Sequence, residues 1–346
     1  MTECIVFLDR SAIPAAFRRP RFPHMWQEHP DTPAEFVLER LREATIAITN
    51  RVSLNEENLT QLPNLRFIAV AATGYDILDI DACNRLGIAV SNVRDWCTTS
   101  VAEHVFGLIF ALQRKLFEVR DQIQSGAWQR SQGSLMPTLP PPRDLAGSQI
   151  GLIGHGVVAQ RVAQIARGLG MKVAVAEHKG AKQMRPGRVQ FESLLLESDI
   201  VSLHCPLTEE TRGLIGAREL ALMKQTSLLI NCARGGIVDD HALGKSLING
   251  EIGGAGLDVL GQEPPRNGNP LLELTTPNLI ITPHTAWVSQ SALTTFAEQL
   301  IRNLECFVSG RPQNVITSGT PNPSSDPIPH RRKLVGVSRR PSHDNG

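Results

Sequence analysis

Gln149-Ile150-Gly151-Leu152-Ile153-Gly154-His155-Gly156-Val157-Val158-Ala159 reads as a buried strand, a tight glycine turn and the start of a helix. The apolar run Ile150 to Ile153 stops at a G-x-G pair, and Val162, Ala163, Ile165, Ala166 and Leu169 then recur at helical spacing. Gly154 permits the sharp turn and Gly156 lets the backbone approach a pyrophosphate closely. Ala159 takes the third place, where only a small side chain lets the helix pack on the strand. Free N–H groups at the helix start, those of Val157 and Val158, would hold the pyrophosphate. A second strand-like run, Met171 to Ala176, ends at Glu177, where a carboxylate can accept both ribose hydroxyls of an adenosine. That spacing lifts G-x-G-x-x-A above an ordinary turn between packed elements.

Around this stretch the chain is ordinary globular material. Its 346 residues suggest two domains, with 41% hydrophobic and 20% charged residues. A net charge of +1 supplies no basic field, so neither nucleic acid nor an anionic membrane is an expected partner and a small soluble ligand is. Cys4, Cys83, Cys97, Cys205, Cys232 and Cys306 are scattered, several in apolar runs, and read as reduced thiols. No secretory signal and no run long enough for a membrane span is present, so the expected location is the cytoplasm. No His/Cys/Asp cluster has metal-ligand spacing, and no metal is expected.

Short Val- and Ile-rich runs at 4–8, 45–49, 65–70 and 88–90 alternate with helical or polar stretches in the first third of the chain. After the glycine turn they recur at 172–177, 199–203, 227–230, 255–260 and 278–281. Such alternation predicts an α/β fold with parallel sheets covered on both faces. Thr73 and Gly74 directly follow the 65–70 run, at the carboxyl end of a strand, where α/β sheets bind ligands. From Ser100 to about Glu118 the sequence is apolar around most of a helix; it reads as one helix connecting two domains and contributing to a subunit interface. Glu103 and His104 within it read as a cap or a buried pair. The prolines of 137–142 mark a loop, Thr294 to Val308 a helix returning to the first domain, and 319–346 a disordered basic tail.

Three charged residues each stand just beyond a strand-like run of the second half: Arg234, Glu263 and His284. In a parallel sheet those ends converge on the edge that carries the glycine turn. Together they are the set that hydride transfer to a 2-oxo acid requires. Arg234 offers a planar, permanent fork for the substrate carboxylate and can polarise the adjacent carbonyl. His284 exchanges the proton on the substrate oxygen, and Glu263, bonded to the far ring nitrogen, fixes the tautomer and favours the imidazolium. Each alone is more often structural; their convergence gives the reading its weight.

The chain resembles the D-isomer-specific 2-hydroxyacid dehydrogenases from about Leu65 to Gly310. The resemblance is carried by Val101-Ala102-Glu103-His104, Leu145-Ala146-Gly147, His204-Cys205-Pro206-Leu207 with Thr211, Asn231 to Asp239, Gly256-Leu257-Asp258-Val259 and Thr282-Pro283-His284. It implies that Arg234, Glu263 and His284 are the catalytic trio and that Asp258 meets the nicotinamide carboxamide. By the same likeness Cys205, Pro206, Thr211, Cys232, Ala233 and Ala286 line the cofactor, and Thr73 and Gly74 join Arg234 at the substrate. Val157 stands where the family commonly has arginine, and Ala159 replaces its third glycine. Ala176 to Ala181 and the 137–142 loop are most similar to glycerate dehydrogenases, also called hydroxypyruvate reductases.

The resemblance further implies two Rossmann-like domains with doubly wound parallel sheets and a homodimer. The expected division is a flavodoxin-like substrate lobe at 1–99 plus 287–318 and an NAD-binding lobe at 100–286. The expected reaction interconverts a small D-2-hydroxy acid and its 2-oxo acid: D-glycerate with hydroxypyruvate, or glycolate with glyoxylate. Alternatives are a dehydrogenase of the same fold for phosphoglycerate, D-lactate or phosphite, and a non-catalytic NAD-sensing protein like the corepressors of this fold. Glu177 would repel a 2′-phosphate and favours NAD, while Lys179 and Arg185 nearby keep NADP open. Arg94 is the one obvious cation for a phosphorylated substrate.

Overall fold

The computed structural model describes residues 2–131 and 141–318. Most of the proline-rich 137–142 loop and the whole 319–346 tail lie outside the described residues. The described residues form two compact units, one of 2–96 with 290–318 and one within 97–289. In order, the first half runs β1 (Glu3–Phe7), β2 (His24–Glu28), α1 (Val37–Leu41), β3 (Ile46–Thr49), α2 (Glu56–Thr60), β4 (Phe67–Val70), α3 (Ile80–Leu86), β5 (Ala89–Ser91), α4 (Thr98–Gln113), α5 (Leu116–Gln124) and α6 (Ala127–Arg130). It continues with β6 (Gln149–Ile153), α7 (Val157–Gly168), β7 (Lys172–Val175), α8 (Phe191–Glu197), β8 (Ile200–Leu203), α9 (Ala217–Leu222), β9 (Leu228–Asn231), α10 (Asp240–Ile248), β10 (Gly254–Leu257), β11 (Leu279–Ile281) and α11 (Gln290–Val308).

In the first unit five parallel strands lie in the order β2-β1-β3-β4-β5, the flavodoxin-like order. Strand alternation sends Cys4, Val6 and Leu8 to one face and Ile5 and Phe7 to the other. Both faces are covered, so both sets are buried. The second face packs against α11 through Phe296, Leu300, Leu304 and Phe307, with Phe307 stacked on Phe67 at 4.3 Å between ring centres. The apolar runs read from the sequence correspond to β1, β3, β4 and β5. Strand β2, His-Met-Trp-Gln-Glu, goes unread because it lies at an edge, half exposed and largely polar.

The second unit holds six parallel strands in the order β11-β10-β9-β8-β6-β7. Beyond β7, Val189 makes one parallel bridge to Ala176, where a doubly wound sheet would carry its next strand. Helix α4 is not a connector between units. It begins at the second unit's boundary and covers that unit's own sheet, where Val105, Phe106, Ile109 and Leu112 pack with Ala159, Val162 and Ala166 of α7. Gly256 admits this approach, since a Cβ there would sit 3.0 Å from that of Leu108. The apolar stretch is also two helices, divided where Lys115 takes a left-handed backbone (φ 52°). Among the described residues no helix is long and apolar enough to cross a membrane.

Candidate active site

Because every strand of the second sheet is parallel, the loops leaving their carboxyl ends share one edge. Along it stand Glu177 after β7, the Gly154–Gly156 turn after β6, Cys205 after β8, Arg234 after β9, Glu263 after β10 and His284 after β11. From β6 the chain crosses one way to β7 and the other way to β8, which makes a topological switch point at the glycine turn.

Gly154 has φ 107°, and a Cβ on it would lie 2.4 Å from the carbonyl oxygen of His204, so the turn is pressed against the loop of Cys205 and Pro206. A Cβ on Gly156 would meet nothing within 4 Å, and Gly156 begins α7 with no side-chain cap. Open space facing uncapped N–H groups of Val157 and Val158 fits a pyrophosphate. Thr211 turns its hydroxyl onto the Pro206 carbonyl at 2.6 Å and receives the Thr208 N–H at 2.7 Å, so it shapes the loop that presents Cys205 and Pro206. Burial pushes His204 down to about 4, which leaves its ring neutral, bonded to Ser202.

Glu263 and His284 meet. Nδ1 of His284 lies 2.5 Å from Oε2 of Glu263, whose Oε1 accepts the Leu260 N–H at 2.9 Å. Burial would push the Glu263 carboxyl up, but the bond from His284 and the nearby Arg234 charge outweigh it and hold the group below its ordinary range. A lowered carboxyl pKa keeps the anion as pH falls through about 4.3, so the stability this pair gives is lost only at still lower pH.

Arg234 lies near enough for its charge to act on Glu263, and the backbone beside it is tightly packed. Asn231 fixes the loop by donating to the Arg234 carbonyl at 3.0 Å and accepting from the Ala233 N–H at 3.1 Å. Next to it, a Cβ on Gly235 would fall 1.7 Å from the Leu260 carbonyl oxygen. Gly235→Ala therefore has to push the Arg234 and Glu263 loops apart. The expected cost is about 1–3 kcal/mol of stability from overpacking and roughly 10²-fold in kcat/KM from misplacement. Urea unfolding and steady-state kinetics check this, and a variant with unchanged kcat/KM would show that the loop contact is not needed for the site.

Asp258 is a scaffold for His284. Buried at the end of β10, it accepts from the Thr282 hydroxyl at 2.5 Å, the Thr285 N–H at 2.9 Å and the Ala286 N–H at 2.8 Å. Its own carbonyl takes the His284 N–H at 2.8 Å, holding that residue in a left-handed backbone of φ 54°. His104 of α4 joins through Thr282, Nε2 to Oγ1 at 2.9 Å, and lies 3.7 Å from Asp258. The support given by Asn231, Gly235, Thr282 and His104 goes unread in the sequence; the only signal is that they sit inside the motifs quoted. Cys232 is half-buried near Asp258, and desolvation and the neighbouring carboxylate both push its thiol far up, leaving it inert.

Thr73 and Gly74 follow β4 in the first unit, whereas the trio belongs to the second. Thr73 accepts from Trp96 Nε1 at 3.0 Å and from Asn92 Nδ2 at 2.7 Å. Arg94 donates to Asn92 at 2.9 Å and to the Val315 carbonyl at 3.1 Å, tying down the returning end of the chain. Glu177 is buried, and its carboxylate is bonded to Arg185.

Fold and site together define an oxidoreductase that works with a nicotinamide dinucleotide. The sequence profile of the D-isomer specific 2-hydroxyacid dehydrogenase NAD binding domain matches residues 106–286. A glycerate dehydrogenase of Methylorubrum extorquens is 44% identical over 91% of this chain and 99% of its own length. A glyoxylate reductase of Thermococcus litoralis is 36% identical over 84% of this chain and 89% of its own. Among solved structures, an acyclic imino acid reductase in complex with NADPH and D-Arg superposes with a TM-score of 0.76 at 30% identity, covering 90% of this chain and 99% of that one. The chain belongs to the D-isomer specific 2-hydroxyacid dehydrogenase family.

Proposed function

We propose that the protein reduces hydroxypyruvate, and with it glyoxylate, to the D-2-hydroxy acid, with Arg234, Glu263 and His284 as its catalytic residues. The observation that carries the reading is the His284–Glu263 hydrogen bond, held beside Arg234 on the edge that bears the glycine turn. Arg234 binds the substrate carboxylate and polarises its neighbouring carbonyl. His284, its Nδ1–H held by the Glu263 carboxylate, gives a proton to the keto oxygen from Nε2 and becomes neutral; Glu263, staying anionic, favours the imidazolium that makes this donation. The nicotinamide supplies the hydride.

Gly154, Gly156, Val157 and Val158 would hold the pyrophosphate, and Cys205, Pro206, Thr211, Cys232, Ala233 and Ala286 would border the dinucleotide. Asp258 would present the loop beneath the nicotinamide. Thr73 and Gly74, which follow β4, would contact the substrate.

A small substrate accords with Arg94, whose guanidinium is already bonded to Asn92 and Val315 rather than offered to a phosphate. It also accords with the names of the relatives, a glycerate dehydrogenase and a glyoxylate reductase. A homodimer is part of the same reading, supported by Phe110, Leu116, Phe117, Ile123 and Trp128, large apolar side chains left exposed on α4 to α6. A cytoplasmic location accords with buried thiols such as Cys4 and Cys83, whose placement is that of small core side chains.

A panel of hydroxypyruvate, glyoxylate, pyruvate and phosphohydroxypyruvate, followed by the absorbance of reduced nicotinamide, tests the assignment. Hydroxypyruvate is expected to lead, with kcat/KM on the order of 10⁴ M⁻¹s⁻¹ or more. Glyoxylate follows, and pyruvate and the phosphorylated acid trail by tenfold or more. No oxidation with any of the four would contradict the proposal.

A further inference from the structure

Helical spacing puts Val101, His104 and Leu108 on one stripe of α4. Val101 and Leu108 are buried, and Leu108 packs closely over Gly256 of β10. Two residues beyond Gly256 is Asp258, and His104, one turn nearer the start of α4 than Leu108, lies with Nε2 3.7 Å from its carboxylate. Between them stands Thr282, whose Oγ1 is 2.9 Å from that nitrogen.

The direction of the His104–Thr282 bond is dictated by Asp258. Both carboxylate oxygens already act as acceptors, Oδ1 for the Thr285 N–H and Oδ2 for the Ala286 N–H, and Thr282 Oγ1 lies 2.5 Å from Oδ1. Two oxygens that close need the hydroxyl proton between them. A threonine has a single such proton, so with it on Asp258 the hydroxyl can only accept from the imidazole. His104 therefore carries a hydrogen on Nε2. Were that nitrogen the acceptor, Thr282 would turn its proton to it and face Asp258 with bare lone pairs.

The loop that depends on this order is 282–286, with His284 at its middle in a left-handed backbone of φ 54°. Among the hydrogen bonds to the Asp258 carboxylate, those of Thr285 and Ala286 follow His284 and only that of Thr282 precedes it. Losing it releases the leading side of a residue whose conformation persists only while its surroundings enforce it. The same helix braces the far end of the segment as well, Ser100 Oγ to Ser289 Oγ at 2.7 Å.

We propose that His104 is a positioning residue of the reduction: its Nε2–H orders the Thr282 hydroxyl onto Asp258 and thereby sets where His284 presents its own Nε2 to the keto oxygen. This deepens the function proposed above and rests on His284 as the proton donor.

Steady-state kinetics of the full chain with hydroxypyruvate and NADH, in water and in deuterium oxide, tests it. His104→Leu should lower kcat roughly tenfold or more and raise the solvent isotope effect, because donation from a displaced ring becomes the harder step. KM for hydroxypyruvate should stay within about threefold, since Arg234 still holds the carboxylate. His104→Gln offers an N–H at similar reach and should restore kcat to within about threefold of normal. Thr282→Val should resemble His104→Leu, and Thr282→Ser the unaltered protein. Adding His104→Leu to Thr282→Val should lower kcat no further, because both remove one bond, whereas a helix merely loosened by leucine would add its own loss. The proposal is overturned by a His104→Leu protein within about threefold of normal kcat, by a glutamine variant as slow as the leucine one, or by losses that multiply in the double variant. Normal turnover in His284→Ala would overturn the proposed function together with this inference; the other three results leave His284→Ala impaired and overturn the inference alone.

Discussion

His284→Ala is expected to lower kcat for hydroxypyruvate reduction by roughly 10²- to 10⁴-fold, the range a positioned proton donor contributes. The size follows from how completely the ring is placed. Its backbone is held in a left-handed conformation by the Asp258 carbonyl, the loop on either side is fastened to the Asp258 carboxylate, and Nδ1 is bonded to Glu263. Nε2 is the nitrogen left for substrate, and among the described residues no second titratable group is bonded to the pair to take its place. Dinucleotide affinity should stay within a fewfold, because the glycine turn after β6 lies four strands along the edge from β11. Glu263→Gln keeps a hydrogen bond but removes the charge, so it should show a smaller loss of the same kind. Stopped-flow kinetics with calorimetric binding separates the two effects; a His284→Ala protein within threefold of normal kcat would remove this residue from the chemistry.

Arg234→Ala should cost about 2–5 kcal/mol of transition-state stabilisation, which is roughly thirtyfold to a few thousandfold in kcat/KM. Among the described residues the guanidinium donates one hydrogen bond to the protein, Nη1 to the Ala233 carbonyl at 2.8 Å, which leaves donors of its fork for a carboxylate. Arg234→Lys retains the charge but not the planar geometry, and its loss should appear mainly as a raised KM for the 2-oxo acid. A second readout separates binding from structure: Arg234 is one of the charges that hold the Glu263 carboxyl low, so in Arg234→Ala that carboxyl should titrate at higher pH. Equal kcat/KM in the Lys variant would mean that a point charge suffices and that the carboxylate is not held by a fork.

The parts of this molecule that could be read from the sequence are those in which local chemistry and global position coincide. The glycine turn is one, because Gly154 has to adopt a backbone and an approach that a side chain forbids. The buried parallel strands are another, since both faces demand apolar residues. That Arg234, Glu263 and His284 share an edge followed from parallelism alone. Strand β2 escaped because an edge strand has no such demand, and the α4–α5 break escaped because nothing in Arg114-Lys115 announces a left-handed residue. The fork of Arg185 on Glu177 and the loop fastened by Asp258 depend on rotamers and on which acceptors fold brings near. Residue types alone suggested a carboxylate free for ribose and another free for nicotinamide; the structure has both already engaged by the protein itself.

In the proposed site the arginine fork holds the carboxylate of a 2-oxo acid while the imidazole Nε2 meets its keto oxygen. A crystal structure with NADH and oxamate, an unreactive 2-oxo acid analogue, tests it most directly. The account predicts the oxamate carboxylate on the Arg234 guanidinium and its amide carbonyl oxygen within hydrogen-bond distance of His284 Nε2, with Glu263 still on Nδ1. Oxamate bound with its carbonyl turned away from His284, or held by groups other than Arg234, would contradict it.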